Sequence, residues 1–163
     1  AERERLIRAA KGHFATGVTI VTARGPDGVA VGTTGSSFSP VSSDPPLLLV
    51  CLASESEVLA RLKESGRFAI NILADDQRHH SARFAVKGDF ARVHDVTFEE
   101  HLNGVPTLPG SFAMIACDVQ DIHAAGDHDV VIAEPMAIET NGDRAAPLLA
   151  YRGDYLDPGR SIT

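Results

Sequence analysis

Apolar and polar positions in the N-terminal part of the chain change from a helical to an alternating pattern. Up to about residue 16, apolar residues recur at helical spacing at Leu6, Ile7, Ala10 and Phe14. This spacing predicts a short helix that ends at Gly17, because glycine commonly follows the last helical turn. Residues 18–23 and 29–33 are rich in apolar and β-branched positions, and the turn sequence GPDG separates them. The pattern predicts an antiparallel hairpin.

A loop, a strand and a helix are predicted next. Residues 34–46 are dense in Ser, Gly and Pro, which is typical of a loop. Leu47 to Leu52 is continuously apolar and predicts a strand that is buried on both faces. Ser54 and the residue three positions on, Glu57, form a capping box. We therefore expect a helix that begins at Ser54 and ends at Gly66.

The rest of the chain is predicted to be mainly strands. Three strand candidates are Arg67 to Leu73, Ser111 to Ala124 and Val130 to Ile138. A short helix capped by Asp75 is expected to reach about Ala85, and an irregular stretch follows it over residues 90–110. Asn141-Gly142 is a strong signal for a hairpin turn. Leu148 to Tyr155 is predicted to be the last strand.

These elements add up to six or seven strands and three helices, most of them joined by short turns. Such a pattern is typical of a closed antiparallel β-barrel with short helices on its outside, a mainly β member of the α+β class. The chain has 163 residues and neither a repeat nor a low-complexity linker. We therefore expect a single domain over residues 1–163.

Composition narrows the classes of partner. The 15 basic and 22 acidic residues give a formal net charge of −7, which argues against a nucleic-acid partner. The longest apolar run, Pro45 to Ala53, is too short to span a membrane, and the first residues do not resemble a signal peptide. The only cysteines, Cys51 and Cys117, lie in apolar runs and are expected to be buried thiols. These observations favour a cytoplasmic enzyme or binding module.

Candidate chemistry concentrates in the Ser/Thr-rich loop and the helix start that follows it. Small hydroxyl residues and free helix amides can surround an anion or the polar edge of a ring. The histidines lack ligand spacing, so no metal site is expected. The chain has no G-x-S-x-G, Walker A or G-x-G-x-x-G motif. The residues alone therefore indicate an antiparallel β domain with a ligand loop, without naming a reaction.

Six segments in order resemble the flavin reductase family with the FMN-binding split-barrel fold, the reductase components of two-component flavin monooxygenases. They are FATGVTIVTA (Phe14 to Ala23), VGTTGSSFSPVSSDPPLLLVCLASES (Val31 to Ser56), SGRFAINIL (Ser65 to Leu73), SARFA (Ser81 to Ala85), GDHDVVIAEP (Gly126 to Pro135) and PLLAYRGDY (Pro147 to Tyr155). The segments cover nearly the whole chain. The resemblance implies a split β-barrel and a homodimer with flavin near the subunit interface.

The resemblance also implies a set of site residues. Contacts to the flavin ring or ribityl chain are implied for Thr34, Ser36 and Ser37, and backbone contacts for Cys51, Leu52 and Ala53. The phosphate end is implied to be bound by Ser54 and Ser56 and closed by Phe84 and Lys87. His128 is implied to lie near the nicotinamide or flavin ring, in a positioning or electrostatic role. Tyr151 and Arg152 match the closing segment near the flavin.

The activity that the resemblance implies is hydride transfer from C4 of NADH or NADPH to N5 of FMN or FAD. The reduced flavin would then serve a separate oxygenase component, with at most transient contact between the proteins. Two alternatives stay open. One is a flavin-binding electron carrier that does not turn over NAD(P)H, and the other is a barrel relative that binds a deazaflavin or haem. A haem-attachment motif is absent, which disfavours haem.

Overall fold

A computed structural model describes residues 1–86, 95–142 and 146–158. The helices are α1 (Glu2–Gly12), α2 (Glu57–Ser65) and α3 (Arg78–Phe84), and a 3-10 turn (Asp75–Gln77) precedes α3. The strands are β1 (Thr16–Gly17), β2 (Thr19–Arg24), β3 (Ala30–Gly35), β4 (Ser39–Ser43), β5 (Pro46–Ala53), β6 (Arg67–Ile72), β7 (Ala113–Ala125), β8 (His128–Thr140), β9 (Leu149–Tyr151) and β10 (Asp154–Leu156).

The strands form two antiparallel sheets. The larger sheet has the order β3-β2-β6-β7-β8-β5-β4, and the smaller has the order β1-β9-β10. Every pairing between neighbours is antiparallel. The mainly β fold with peripheral helices predicted from the sequence is confirmed.

The described residues form three buried apolar clusters, and two of them join the sheets and helices. The first lies between α2 and the larger sheet and includes the fully buried Leu62, Phe68 and Ile70. The second includes Leu108 and Leu148 and joins the smaller sheet to the larger one. Backbone bonds support this junction, since the Leu148 N–H donates to the Leu73 carbonyl at 2.9 Å and its carbonyl accepts from Val18 at 3.2 Å.

The first hairpin is confirmed, but the helix boundaries around it differ from prediction. Strands β2 and β3 are paired, with Thr19 opposite Gly35 at one end and Arg24 opposite Ala30 at the other. Helix α1 ends at Gly12, and Gly17 lies in strand β1 opposite Leu149, so the prediction that Gly17 ends the helix was wrong. Thr16 and Gly17 are in an extended conformation because they pair with β9, whereas periodicity alone placed them at the end of the helix.

Helix α2 begins two residues later than the capping-box pattern predicts. Ser56 is the N-cap, and its hydroxyl accepts from the Leu59 N–H at 3.1 Å. Ser54 instead donates its hydroxyl to Asp129 at 2.7 Å, so its predicted capping role was wrong. The predicted end is confirmed, because Gly66 takes the left-handed conformation with φ of 69°. The helix cap predicted at Asp75 was also wrong. The Gln77 side chain instead accepts from the Ala74 N–H at the start of the 3-10 turn.

Several strand predictions also need correction. The expected loop 34–46 contains strand β4, and β5 is only half-buried at most positions, so it is not buried on both faces. The last predicted strand is a hairpin, because β9 and β10 flank a turn at Arg152 and Gly153. Strand β8 does not pair with β9, and the Asn141-Gly142 hairpin was therefore wrong. The described part of the irregular stretch, residues 95–110, contains no strand longer than an isolated bridge.

Candidate functional site

A groove of about 1000 Å³ lies where the ends of several strands and the end of α1 meet. One wall is formed by the end of β3 and the residues that follow it. A second is formed by the end of β5, the start of α2 and the β7–β8 turn, and a third by the end of α1 and the β9–β10 turn. The volume is at the upper end of the roughly 300–1,000 Å³ that is typical of small-molecule sites.

Ser37 connects the first wall to the second. Its hydroxyl accepts from the Cys51 N–H at 2.8 Å and donates to the Cys51 carbonyl at 3.1 Å. One side chain thereby satisfies both backbone groups of a strand residue, as a neighbouring strand would. Thr34 in the same wall donates its hydroxyl to the Ser81 carbonyl at 2.8 Å, which fixes β3 against α3. The Ser/Thr-rich segment is therefore held in place at both ends.

A buried polar network fixes the start of α2 beside the groove. Asp129 is 7% exposed and accepts from the Ser54 hydroxyl at 2.7 Å and from the Lys63 ammonium at 2.8 Å. These bonds from Lys63 and Ser54 hold the pKa of the Asp129 carboxyl below its usual value. Ser56 lines the groove next to the helix amides of Glu57 and Val58, which lack intrahelical acceptors. This end of the groove suits an anion.

His128 lies at the first position of β8, opposite Ala53 of β5 and Ala125 of β7. Its ring is half exposed, and its Nδ1 lies 2.7 Å from an Asp127 carboxylate oxygen. The bond to Asp127 restricts the rotation of the ring and leaves Nε2 available. His128 lines the groove and is therefore placed to contact a ligand bound there.

The third wall depends on a contact between distant parts of the chain. The Arg152 N–H donates to the Gly12 carbonyl at 2.8 Å, and Arg152 has a φ of 55°. Tyr151 packs edge-on against His13, with ring centroids 6.5 Å apart. The turn between β9 and β10 is thereby attached to the end of α1, and Lys11 lies beside it in the groove wall.

The comparisons with known proteins agree with this architecture. The family model described as flavin reductase like domain matches residues 11–158. The chain belongs to the flavin reductase family. A protein of Rhizobium meliloti named "Probable flavin reductase" is 43% identical over 94% of this chain, which spans only 49% of that protein's length.

Two solved structures of the family are similar along nearly their whole length. A nitrilotriacetate monooxygenase component B homologue from Mycobacterium thermoresistibile is 37% identical, with a TM-score of 0.90 over 100% of this chain and 93% of that one. The Streptomyces globisporus NADH:FAD oxidoreductase SgcE6, in complex with NAD and FAD fragments, is 27% identical. Its TM-score is 0.86 over 99% of this chain and 98% of that one.

The structure of this flavin reductase family member brings most of the predicted site residues together. The groove is lined by Thr34, Ser36, Ser37, Cys51, Leu52, Ala53, Ser56, His128, Tyr151 and Arg152. Two predicted residues do not line it. Ser54 bonds to Asp129 behind the wall, and Phe84 is 5% exposed in the second apolar cluster. Lys87 lies outside the described residues.

Phe84 has a packing role that its sequence position did not reveal. A Cβ added to Gly32 would lie 2.8 Å from the Phe84 ring, so glycine allows the ring to pack directly on β3. The side chain therefore supports the groove wall from behind, while the neighbouring Ala85 lines the groove itself. The prediction that Phe84 closes the phosphate end is replaced by this core contact.

Sequence reasoning missed several groove residues, among them Lys11, Phe14, Thr16 and Asp127. The first three lie at or after the end of α1, where the over-long predicted helix hid their position. Asp127 was visible in the GDH segment, directly before His128. A carboxylate adjacent to a candidate histidine is a signal that could have found it.

The groove fits a flavin by shape and by donor set. The wall that would face a planar ring carries small residues such as Gly35, Ser36 and Ala53, and a Cβ at Gly35 would have no neighbour within 4 Å. Hydroxyls lie along the wall, and the start of α2 offers amides to a phosphate. Within the described residues, no cluster of His, Cys, Asp and Glu could hold a metal ion, and no helix is long and apolar enough to cross a membrane.

Proposed function

We propose that this chain is an NAD(P)H:flavin oxidoreductase that supplies reduced flavin to a separate monooxygenase component. The observation that carries the proposal is that His128 lines a groove whose other walls offer small hydroxyl residues and a helix start. Family membership supports the same activity. The names of the two solved relatives, a monooxygenase component and an NADH:FAD oxidoreductase, support the partner class and the hydride donor.

The flavin, when bound, accepts a hydride at N5 from C4 of the nicotinamide. We assign the positioning of its ring to the wall formed by Thr34, Ser36 and Ser37. Small side chains there allow close stacking, and Ser37 is itself fixed by two bonds to Cys51. Ser56 and the first amides of α2 bind the phosphate. These residues would thus hold a bound flavin in the groove, and hydride transfer would require a nicotinamide to stack on its ring.

His128 positions the nicotinamide. Hydride transfer needs no proton to move at the same step, so the ring is not required as an acid or base. The contact between its Nδ1 and Asp127, 2.7 Å long, orients the imidazole, and the half-exposed Nε2 edge can contact the carboxamide of the nicotinamide. A fixed contact of this kind reduces the orientational entropy lost in the transition state.

The protein is proposed to act as a homodimer. Helix α1 buries none of its residues within one chain, although Leu6 and Ile7 are apolar and about half exposed. Phe14, which lines the groove, is 78% exposed. A second copy packed against this region would remove apolar surface from water and help to enclose the groove. Sedimentation equilibrium tests this, with twice the chain mass of 17.3 kDa expected.

The test of the activity is a steady-state assay of NADH and NADPH oxidation, each with FMN and with FAD. The expected result is flavin-dependent loss of the nicotinamide absorbance with at least one pair. Tight flavin binding without oxidation of either nucleotide would replace the proposal with an electron carrier. Absence of both flavin binding and oxidation would favour a deazaflavin- or haem-binding relative.

A further inference from the structure

The groove is more basic than the chain as a whole. The formal net charge of the chain is −7, yet the groove lining includes Lys11 and Arg152. Asp127 is the carboxylate in the described lining, and it already contacts His128. Cations in a concave site attract anionic ligands more strongly than the same cations on an open surface. The third wall therefore has the charge expected of a phosphate-binding surface.

Lys11 and Arg152 come from distant parts of the sequence and are brought together by backbone contacts. The Arg152 N–H donates to the carbonyl of Gly12, the residue after Lys11, at 2.8 Å. A Cβ added to Gly12 would lie 3.5 Å from the Arg152 Cα, so the two backbones are in contact. The position of Lys11 in the last turn of α1 is explained by the helix dipole. Arg152 belongs to the β9–β10 turn and not to α1, so the α1 dipole does not account for its place in the same wall.

Several other cations of the described residues are used in ion pairs. Arg24 pairs with Glu100, Arg61 with Asp27 and Glu57, Lys63 with Asp129, and Arg83 with Asp95. In the part of the chain that the structure describes, neither Lys11 nor Arg152 has a carboxylate within 4.0 Å. Their charges are therefore available to a ligand in the groove.

The groove thus offers two places for phosphate on different elements. One is the start of α2 beside Ser56, which suits the phosphate of a flavin mononucleotide. The other is the surface formed by Lys11 and Arg152. Arg152 can bind two phosphate oxygens through its planar guanidinium, and Lys11 adds a mobile point charge. A ligand with a pyrophosphate, or two ligands bound together, would use both places.

We propose that Lys11 and Arg152 form a subsite for the pyrophosphate of a dinucleotide. This inference rests on the proposed function, because NADH, NADPH and FAD are the dinucleotides of that reaction and FMN lacks a pyrophosphate. The subsite discriminates dinucleotides from mononucleotides at the same groove. It acts in binding and leaves the hydride-transfer step to the stacked rings.

The test compares ligands that differ in the pyrophosphate. The variants are Lys11→Gln, Arg152→Gln and the double substitution. Arg8→Gln is the control, because it removes the same charge from α1 at a residue outside the groove lining. The Kd values of FMN and FAD are measured by fluorescence titration without nicotinamide. The KM for NADH is measured separately with saturating FMN as the acceptor.

The double variant is expected to raise the Kd of FAD or the KM for NADH by about ten-fold, as loss of charge-assisted contacts would. The Kd of FMN should change less than about two-fold, and Arg8→Gln should change none of the three values. A rise for FAD alone assigns the subsite to the flavin dinucleotide, and a rise for NADH alone assigns it to the hydride donor. Equal rises for FMN and FAD, or unchanged values for both dinucleotides, would overturn the subsite.

The same data separate the subsite from the proposed function. If the unsubstituted protein binds FMN and FAD but does not oxidise NADH or NADPH, the proposed reductase activity fails. The comparison of FAD with FMN still tests the subsite in that case, because it uses binding alone. If the unsubstituted protein oxidises NADH and the double variant keeps its KM and its Kd for FAD, only the subsite fails.

Discussion

At the scale of single residues, the site depends on residues that are held in place by a specific hydrogen-bond partner. His128 is oriented by Asp127, Ser37 by Cys51, and Arg152 by the backbone of Gly12. All three residues line the groove. Preorganisation of this kind lowers the entropic cost of binding two ligands in a stacked arrangement.

The positioning role of His128 predicts a separation of binding from turnover. In His128→Ala, kcat/KM for NADH should fall by about ten-fold, which corresponds to roughly 1.4 kcal/mol of transition-state stabilisation. The Kd of flavin should change little, because the phosphate and ring walls remain. The control is His123→Ala, since His123 is exposed on the neighbouring strand and pairs with Asp121 outside the groove lining. Equal turnover in the two variants would contradict the role of His128.

The two cysteines should differ in reactivity. Burial raises the pKa of the Cys117 thiol to about 12, whereas Cys51 is partly exposed and lines the groove. A thiol reagent near neutral pH should therefore modify only one cysteine in the folded protein, because the reactive species is the thiolate. Peptide mapping should identify it as Cys51, and bound flavin should slow the reaction. Modification of Cys117 before unfolding would contradict the core assignment.

Residue types were predicted better than residue orientations. The hydroxyl residues after β3 and the histidine of the GDH segment were found because their local motifs are distinctive. Ser54 was misassigned because its sequence context matches a capping box, although the observed N-cap is Ser56. Its actual partner, Asp129, is 75 residues away in sequence, and no local pattern reports such a contact.

At the scale of elements, the groove depends on the attachment of the segment after β3 to β5. The Ser37 hydroxyl adds two bonds to Cys51 to this attachment, beside the backbone pairing of β4 with β5. Ser37→Ala should lower the free energy of unfolding by about 1–2 kcal/mol, since two backbone groups lose their partner. Urea unfolding measures the change, and the Kd of flavin should rise in parallel.

Ser39→Ala is the matched control for this substitution. The Ser39 hydroxyl is exposed and donates only to the carbonyl of the adjacent Pro40. Its loss should change the free energy of unfolding by less than about 0.5 kcal/mol. Equal effects of the Ser37 and Ser39 substitutions would show that the attachment does not depend on Ser37.

The Asp129 network should give the start of α2 a defined pH dependence. Lys63 and Ser54 lower the pKa of Asp129 from its ordinary value of 3.8. A lowered pKa means that the ionised carboxylate stabilises the folded protein. This stabilisation is fully present above pH 3.8 and is lost as the pH falls below it, through the folded pKa.

Asp129→Asn is therefore expected to be less stable than the unsubstituted protein at neutral pH, with the difference shrinking as the pH falls below 3.8. Urea unfolding at a series of pH values measures it. Asp121→Asn is the control, because Asp121 is an exposed carboxylate on β7. A stability difference that is independent of pH would contradict a role for the Asp129 charge.

Elements whose turn or cap residues are visible in the sequence were predicted well, whereas short strands that depend on pairing between distant segments were not. The β2–β3 hairpin and the end of α2 at Gly66 carry turn and cap residues in the sequence. Strands β1 and β9 have two and three residues and exist because they pair with each other across most of the chain. The third wall of the groove, including Lys11, was missed for the same reason.

At the scale of the whole molecule, an acidic chain carries a groove with two available cations. The negative net charge disfavours nucleic acid, while the local charge of the groove favours small phosphate-bearing ligands. The overall split-barrel architecture was predicted from the ordered family segments. The pattern of elements alone indicated an antiparallel β-barrel with outer helices but no reaction, because many functions share such barrels.

The central claim is that this chain itself passes a hydride from a nicotinamide to a flavin. The most direct measurement is anaerobic mixing of the purified protein and FMN or FAD with NADH or NADPH, followed by the visible absorbance of the flavin. We expect bleaching in proportion to the nicotinamide oxidised, at a rate that depends on protein concentration and that falls in His128→Ala. Flavin that binds but keeps its oxidised spectrum with both nucleotides would contradict the account.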